Sequence, residues 1–209
     1  MASRFDTFVF DWDGTLNNLK LVRAINEKIN PNWRHKKKMS TKMGEQRAGR
    51  DGTIYDQKPK LLRMLLLAPL FDASLFLMKP KLQSGVREAL ELLKRRDKGI
   101  AIFTNGAAYR VTKELSYLGI LDYFDVVVSA QELKILKPNP TGLAVVADAI
   151  KAKKSRMLYA GDMVDDIVMA KQYGVCACGI AGGFDSYEKL KSAKPDYLFA
   201  SFEGFKRAL

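Results

Sequence analysis

The stretch Phe8-Val9-Phe10-Asp11-Trp12-Asp13-Gly14-Thr15-Leu16 decides how this chain is read. Aromatic and β-branched residues from Phe8 to Phe10 have the character of a buried strand, and Gly14 then lets the backbone turn sharply away. Asp11 and Asp13 therefore fall at the strand's carboxyl end, the edge where open α/β sheets keep their ligands. Two like charges this close repel unless a divalent cation or a proton intervenes. Alone, an Asp-x-Asp pair is most often a solvated acidic turn, so its meaning depends on the rest of the chain.

Beyond residue 80 the periodicity alternates between helix and strand. Gly85 to Arg96 reads as a helix with Val86, Leu90 and Leu93 on one face; Ile100 to Phe103 is a short buried strand; Ala107 to Leu118 is helical and stops at Gly119. Val126 to Val128 form a third strand, Pro140 opens a helix through Ala152, and Met157 to Ala160 form a fourth strand. Val164 to Tyr173 is a helix ended by Gly174, Val175 to Ile180 a fifth strand, Tyr187 to Ser192 a last helical turn, and Tyr197 to Phe199 an edge strand. This alternation predicts right-handed βαβ crossovers, hence an α/β fold with a doubly wound parallel sheet.

Residues 17 to 80 break the alternation. They begin helically, with Leu19, Val22, Ile25 and Ile29 at helical spacing, pass through a basic polar stretch, and return to apolar helix from Leu61. The division expected is a core of residues 1–16 and 81–209 with an inserted helical domain at 17–80. Leu61 to Met78 is apolar but interrupted by Arg63, Pro69 and Asp72 at a length barely able to span a bilayer, which favours a buried helix over a membrane segment.

Composition narrows the chemistry. The 209 residues are 47% hydrophobic and 28% charged, as in ordinary soluble proteins, and the start Met1-Ala2-Ser3-Arg4-Phe5-Asp6 has no apolar signal segment, so a cytoplasmic location is expected. Of the net charge of +12, residues 17 to 95 carry +11, from 18 Lys and Arg against 7 Asp and Glu, a field that favours an anionic ligand. Cys176 and Cys178 alternate along a strand, so they share a face and pack in the core. His35 is the only histidine, which removes zinc sites built on several histidines and leaves acid and base work to carboxylates or lysines.

Later strand ends add to the aspartate pair. Thr104-Asn105-Gly106 offers a hydroxyl and an amide beside a helix start whose N–H groups favour anions. Lys137-Pro138-Asn139-Pro140 presents an ammonium on a stiffened approach. Gly161-Asp162-Met163-Val164-Asp165-Asp166 adds acids at a strand end and in a first helical turn. Together these describe one rim with acids for a hard cation and a hydroxyl and an ammonium for anionic oxygens.

This set, in this order, resembles the haloacid dehalogenase-like hydrolase superfamily, in its phosphatase branch with a small helical cap, phosphoglycolate phosphatase-like. Asp-Trp-Asp-Gly-Thr at 11–15 resembles the first motif, Thr104 the second, Lys137 with Pro138 and Pro140 the third, and Asp162 with Asp166 the fourth. Met163, where Ser or Thr is commoner, and Ser84, where proline is frequent, depart from the pattern.

The resemblance implies a Rossmann-like core with a cap at 17–80 and a Mg²⁺-dependent phosphatase acting on a small phosphate monoester. It makes Asp11 the nucleophile of an aspartyl-phosphate intermediate and Asp13 the general acid and base. Thr104, Asn105 and Lys137 would bind the phosphoryl group. Mg²⁺ would be held by Asp11, the backbone carbonyl of Asp13 and Asp162, with Asp166 acting through water or on its neighbours; Asp166 fits the family spacing better than Asp165.

Arg47 and Arg50, with other basic residues of the insertion, are candidates for selecting the rest of the substrate. The expected partner is a small phosphorylated metabolite, with no membrane, and the protein is expected to be a monomer or homodimer. A phosphomutase, and a phosphatase of nucleotide or nucleic-acid ends using the basic cap, are the alternatives. The few aromatic residues of the insertion, Trp33 and Tyr55, disfavour nucleic acid.

Overall fold

In the computed structural model, residues 1–19, 69, 70, 73 and 79–209 are described. The order is β1 (Thr7–Phe10), α1 (Val86–Arg95), β2 (Gly99–Thr104), α2 (Ala108–Tyr117), β3 (Val126–Ser129), α3 (Thr141–Ala149), β4 (Met157–Gly161), α4 (Val164–Tyr173), β5 (Cys176–Ile180), α5 (Tyr187–Ser192), β6 (Tyr197–Phe199) and α6 (Phe202–Ala208). The strands form one parallel sheet in the order β3-β2-β1-β4-β5-β6.

Alternation along each central strand sends side chains to two cores. Phe8, Phe10, Ile100, Ile102, Leu158, Ala160 and Cys178 pack on one face with α1, α2 and α6. Val9, Ala101, Phe103, Met157, Tyr159 and Ala177 pack on the other with α3, α4 and α5. Strands buried on both faces need continuous apolar sequence, which is why β1, β2 and β4 carry it. Each large apolar side chain buried in full contributes roughly 1.5–3 kcal/mol.

Connections reverse direction at β1. The chain runs outward from β1 through β2 to β3, then returns by α3 to the opposite side of β1 and continues through β4, β5 and β6. The switch point lies between the carboxyl ends of β1 and β4, where Asp11 and Asp162 stand, and a ligand crevice opens at such points.

The ends of the segment that interrupts the alternation lie side by side. Asn18 N–H donates to Lys81 O at 2.6 Å, Gln83 N–H donates to Leu16 O at 2.8 Å, and Asn17 bridges to Leu82. The chain thus leaves and re-enters the core at one place, beside the turn after β1. Most of 17–80, including Arg47, Arg50 and the apolar run 61–78 apart from Pro69, Leu70 and Ala73, lies outside the described residues; those three are helical, as expected of the run, but exposed rather than buried. No described helix is long and apolar enough to cross a membrane.

Most boundaries fall within a residue or two of expectation; two differences are larger. The helix expected through Ala152 ends at Ala149, because Lys151 takes a left-handed conformation, φ 52°, that ends the helical run. A final helix, α6, lies beyond the last expected element; Ser201 caps it by accepting from Gly204 N–H at 3.3 Å, and Phe202 and Phe205 dock on Phe10.

Candidate active site

Four carboxyl-end segments converge. Asp11 follows β1 directly and is 5% exposed; its backbone N–H donates to Ala160 O of β4 at 2.9 Å, which extends the strand pairing by one residue and aims the side chain above the sheet. Asp162 and Asp166 are also buried, and the carboxylates of all three lie within 4.8 Å of one another.

Lys137 bridges two of these acids. Its Nζ donates to Asp11 Oδ1 at 2.6 Å and to Asp166 Oδ1 at 2.9 Å, and it stands 5.6 and 5.4 Å from the rings of Phe103 and Tyr159. Burial works against the ammonium, yet the charges of Asp11 and Asp166 outweigh it and raise the lysine above its ordinary value. For Asp11 the balance falls the other way: burial, opposed by Lys137 and reinforced by Asp166, pushes its carboxyl up to about 7. Burial, with the charges of Asp11 and Asp166, also raises Asp162 well above the usual carboxylate range.

Three buried carboxylates against one ammonium leave an excess of negative charge. Burial first, and that excess with it, raise the proton affinity of Asp11 and Asp162, and a small divalent cation relieves the excess as a proton would. The oxygen-only donor set fits Mg²⁺, which takes few carboxylates and keeps its remaining positions for water and phosphate.

Asp162 and Asp166 are also held by neutral donors. Asp162 accepts from Thr15 Oγ1 at 2.8 Å and from the backbone N–H of Phe184, in the loop after β5. Gly14, at φ 93°, lies so close that a Cβ there would stand 2.5 Å from Asp162 Oδ2, so the motif's glycine is needed for space as well as for the turn. Asp166 accepts from Tyr159 Oη at 3.1 Å and from Met163 N–H at 2.9 Å. Asp165, half-buried, is not one of the three clustered acids.

The remaining expected residues take distinct positions. Thr104 Oγ1, buried, accepts from Gly106 N–H at 3.1 Å, which directs its own proton elsewhere. Helix α2 begins only at Ala108, so Thr104 is not its cap. Asn105 Oδ1 accepts from the backbone N–H of Lys137 at 3.1 Å, tying the lysine loop to the turn after β2. Asp13 does not join the acid cluster: its carboxylate pairs with Arg110 of α2, with Nη1 to Oδ1 at 3.1 Å and Nη2 to Oδ2.

Sequence reasoning missed Arg110, Glu114, Tyr159 and Phe184 as members of this neighbourhood. For Arg110 a signal existed: it adjoins Val111 and lies four residues before Glu114, which adjoins Leu115, so both charges fall beside the apolar face of α2. Tyr159 reads as a core aromatic, and Phe184 contributes only backbone. Neither carries a sequence mark of its role.

A hydrolase family model, haloacid dehalogenase-like hydrolase, matches residues 5–174. The chain belongs to the haloacid dehalogenase-like hydrolase family. Among curated family relatives, a phosphoglycolate phosphatase from Haemophilus influenzae is 27% identical over 122 residues, 58% of this chain and 54% of that protein. One from Vibrio parahaemolyticus is 32% identical over 113 residues, 54% and 50% of the two chains. The chain therefore spans about half the length of the curated relatives it matches. A solved structure described as a predicted phosphoglycolate phosphatase from Haemophilus somnus superimposes with a TM-score of 0.69 at 21% identity, covering 98% of both chains, which shows the fold.

Proposed function

We propose that this chain is a Mg²⁺-dependent phosphatase that hydrolyses a small phosphate monoester through an aspartyl phosphate on Asp11. The observation that carries the reading is the Asp11–Lys137 contact at 2.6 Å inside a buried acid cluster, with the Thr104 hydroxyl on the adjoining strand end. A carboxylate placed beside an ammonium can attack an electrophile whose anionic oxygens that ammonium neutralises.

Asp11 Oδ attacks phosphorus as the bond to the ester oxygen breaks, and Asp13 gives that oxygen its proton. Asp13 then takes a proton from water as the water attacks the acyl phosphate, releasing inorganic phosphate and restoring Asp11. General acid and base assistance of this kind is worth about 10²–10⁴ in rate. Thr104 and the Lys137 ammonium hold the phosphoryl oxygens, and the Asn105 amide, its oxygen bonded to Lys137 N–H, offers its hydrogens to the same group.

Asp11, Asp162 and the backbone carbonyl of Asp13 would hold Mg²⁺, with Asp166 acting through its neighbours. The ion would supply a positive field for charge developing on the phosphoryl oxygens. The basic segment, Arg47 and Arg50 included, would contact the part of the substrate beyond phosphate, and a carboxylated ester such as phosphoglycolate suits an arginine fork. The relatives named as phosphoglycolate phosphatases support this class.

The test is phosphate release from a panel of phosphate esters with Mg²⁺, comparing wild type with Asp11→Asn. The variant should fall by at least about 10³-fold, the scale on which loss of a nucleophile acts. Undiminished turnover by Asp11→Asn would remove the covalent mechanism. Asp13→Asn should keep its metal affinity and lose turnover.

A further inference from the structure

The carboxylate of Asp13 is gripped from a second element. Arg110, in the first turn of α2 and 3% exposed, meets both its oxygens, and such a fork sets the plane of a carboxylate as well as its place. Arg110 Nη1 also donates to Glu114 Oε1 at 3.1 Å and Oε2 at 2.9 Å. Glu114, fully buried, accepts in turn from the Trp12 indole Nε1–H at 2.5 Å.

Trp12 lies between the two aspartates in sequence, so the contacts close a ring: Asp13, Arg110, Glu114, Trp12 and back along the chain. The ring passes under the turn after β2. A Cβ on Gly106 would collide with Arg110 Nη2 and stand 3.3 Å from Asp13 Oδ2.

Stability alone does not account for this ring. Burying ions costs several kcal/mol each, and well-packed apolar residues of like volume are often as stable or more so. What a charged ring supplies and an apolar patch does not is a fixed position for one carboxylate. We propose that Arg110, itself set by Glu114 and Trp12, is a positioning residue for Asp13, holding that carboxylate where it can exchange a proton at the ester oxygen and at water.

The proposal rests on the reading of Asp13 as the general acid and base. An error of about 1 Å in such a group costs on the order of 10²-fold in rate. The loss falls on kcat with little change in KM, because phosphate is held by other groups.

A mutant cycle with phosphoglycolate as the probe tests it. Arg110→Met is made together with Glu114→Gln, which removes both buried charges and keeps an acceptor for Trp12. In the wild-type background the pair should lower kcat roughly 30- to 100-fold, on the scale of such a misplacement, with KM changed less than about threefold. In an Asp13→Asn background the same pair should cost less than about threefold, since residues acting through one group are not additive.

Arg110→Lys, which keeps the charge but loses the fork, should fall between wild type and the pair and show the same dependence on Asp13. Equal losses in both backgrounds, a loss confined to KM, or full activity in the paired variant would overturn the proposal while leaving the role of Asp13 standing. Wild-type turnover in Asp13→Asn would overturn both.

Discussion

Strand β1 has an aspartate at each end, and each is paired with a base. Asp6, just before the strand, has a side chain 55% exposed and takes a two-point grip from Arg156, with Nε to Oδ2 and Nη2 to Oδ1 both at 2.8 Å, and a contact from Lys98 at 3.3 Å. Asp11, just after the strand, is buried against Lys137 at 2.6 Å. The hydrogen bond from Arg156 lowers Asp6 well below the usual carboxylate range, whereas burial drives Asp11 up to about 7 despite its closer partner.

The contrast teaches that an ion pair does not set the state of a carboxylate without its solvent. At the open end of the sheet water still serves both charges, and the pair adds to a form that is already favourable. At the closed end water is gone, two further acids press in, and one ammonium does not compensate. The open end is therefore a structural clasp between β1 and its neighbours. The closed end has an unmet charge requirement, and chemistry can use it.

Removing the base from the closed end should have the largest effect. Lys137→Met takes the only described cation from Asp11 and Asp166; kcat should fall by roughly 10²–10³-fold, as for loss of one donor to a developing anion. Stability without metal should fall by about 3 kcal/mol, measured by chemical denaturation. A variant as stable and active as wild type would show that the two ends do not differ in kind.

Adding a cation should narrow the contrast. Mg²⁺ at about 100 times its Kd should stabilise the fold by about 2.7 kcal/mol, read as a rise in Tm, and Asp162→Asn should abolish most of that rise. Asp6→Asn should leave the rise intact. A rise unchanged in Asp162→Asn would place the ion elsewhere.

Crowding the closed end should weaken it further. Gly14→Ala puts a methyl group 2.5 Å from Asp162 Oδ2 on a backbone at φ 93°, and should cost about 1–3 kcal/mol by overpacking. Displacing Asp162 should lower Mg²⁺ affinity roughly 10- to 100-fold by titration if the ion sits in the acid cluster. Unchanged affinity would mean that Asp162 is free to move aside.

The smallest effect belongs to the open end. Asp6 is lowered when folded, so its stabilising contribution is full above its unfolded value of 3.8 and fades as pH falls through the folded one. Melting curves of wild type and Asp6→Asn should differ by a small, constant amount from pH 5 to 8 and converge in strong acid. A gap that widens in acid would reverse the sign of the shift.

Most of the sheet was legible because buried parallel strands need unbroken apolar runs, and Phe8–Phe10, Ile100–Phe103 and Met157–Ala160 are such runs. Helix α6 was not, since seven residues with two phenylalanines carry little periodic signal and gain their place by docking on Phe10. In the site, the acids, the lysine and the threonine stood out as residue types at strand ends. Their supporting partners carried a weaker signal: Arg110 and Glu114 adjoin the apolar positions of α2, yet an Arg and a Glu four apart on a helix are also a common surface pair until the helix is packed.

The sequence by itself determined the parallel α/β core, the strand ends on which Asp11, Thr104 and Asp162 stand, the loop before α3 that carries Lys137, and the choice of oxygen and ammonium groups for the rim. These follow from local periodicity and from residue type, which a chain carries whether folded or not. Only the tertiary structure decided which way other groups turn: Asp13 toward Arg110, and Asn105 onto the Lys137 backbone. Those choices arise from burial and from donors brought together across more than 20 residues of sequence, so they exist only once the sheet has closed.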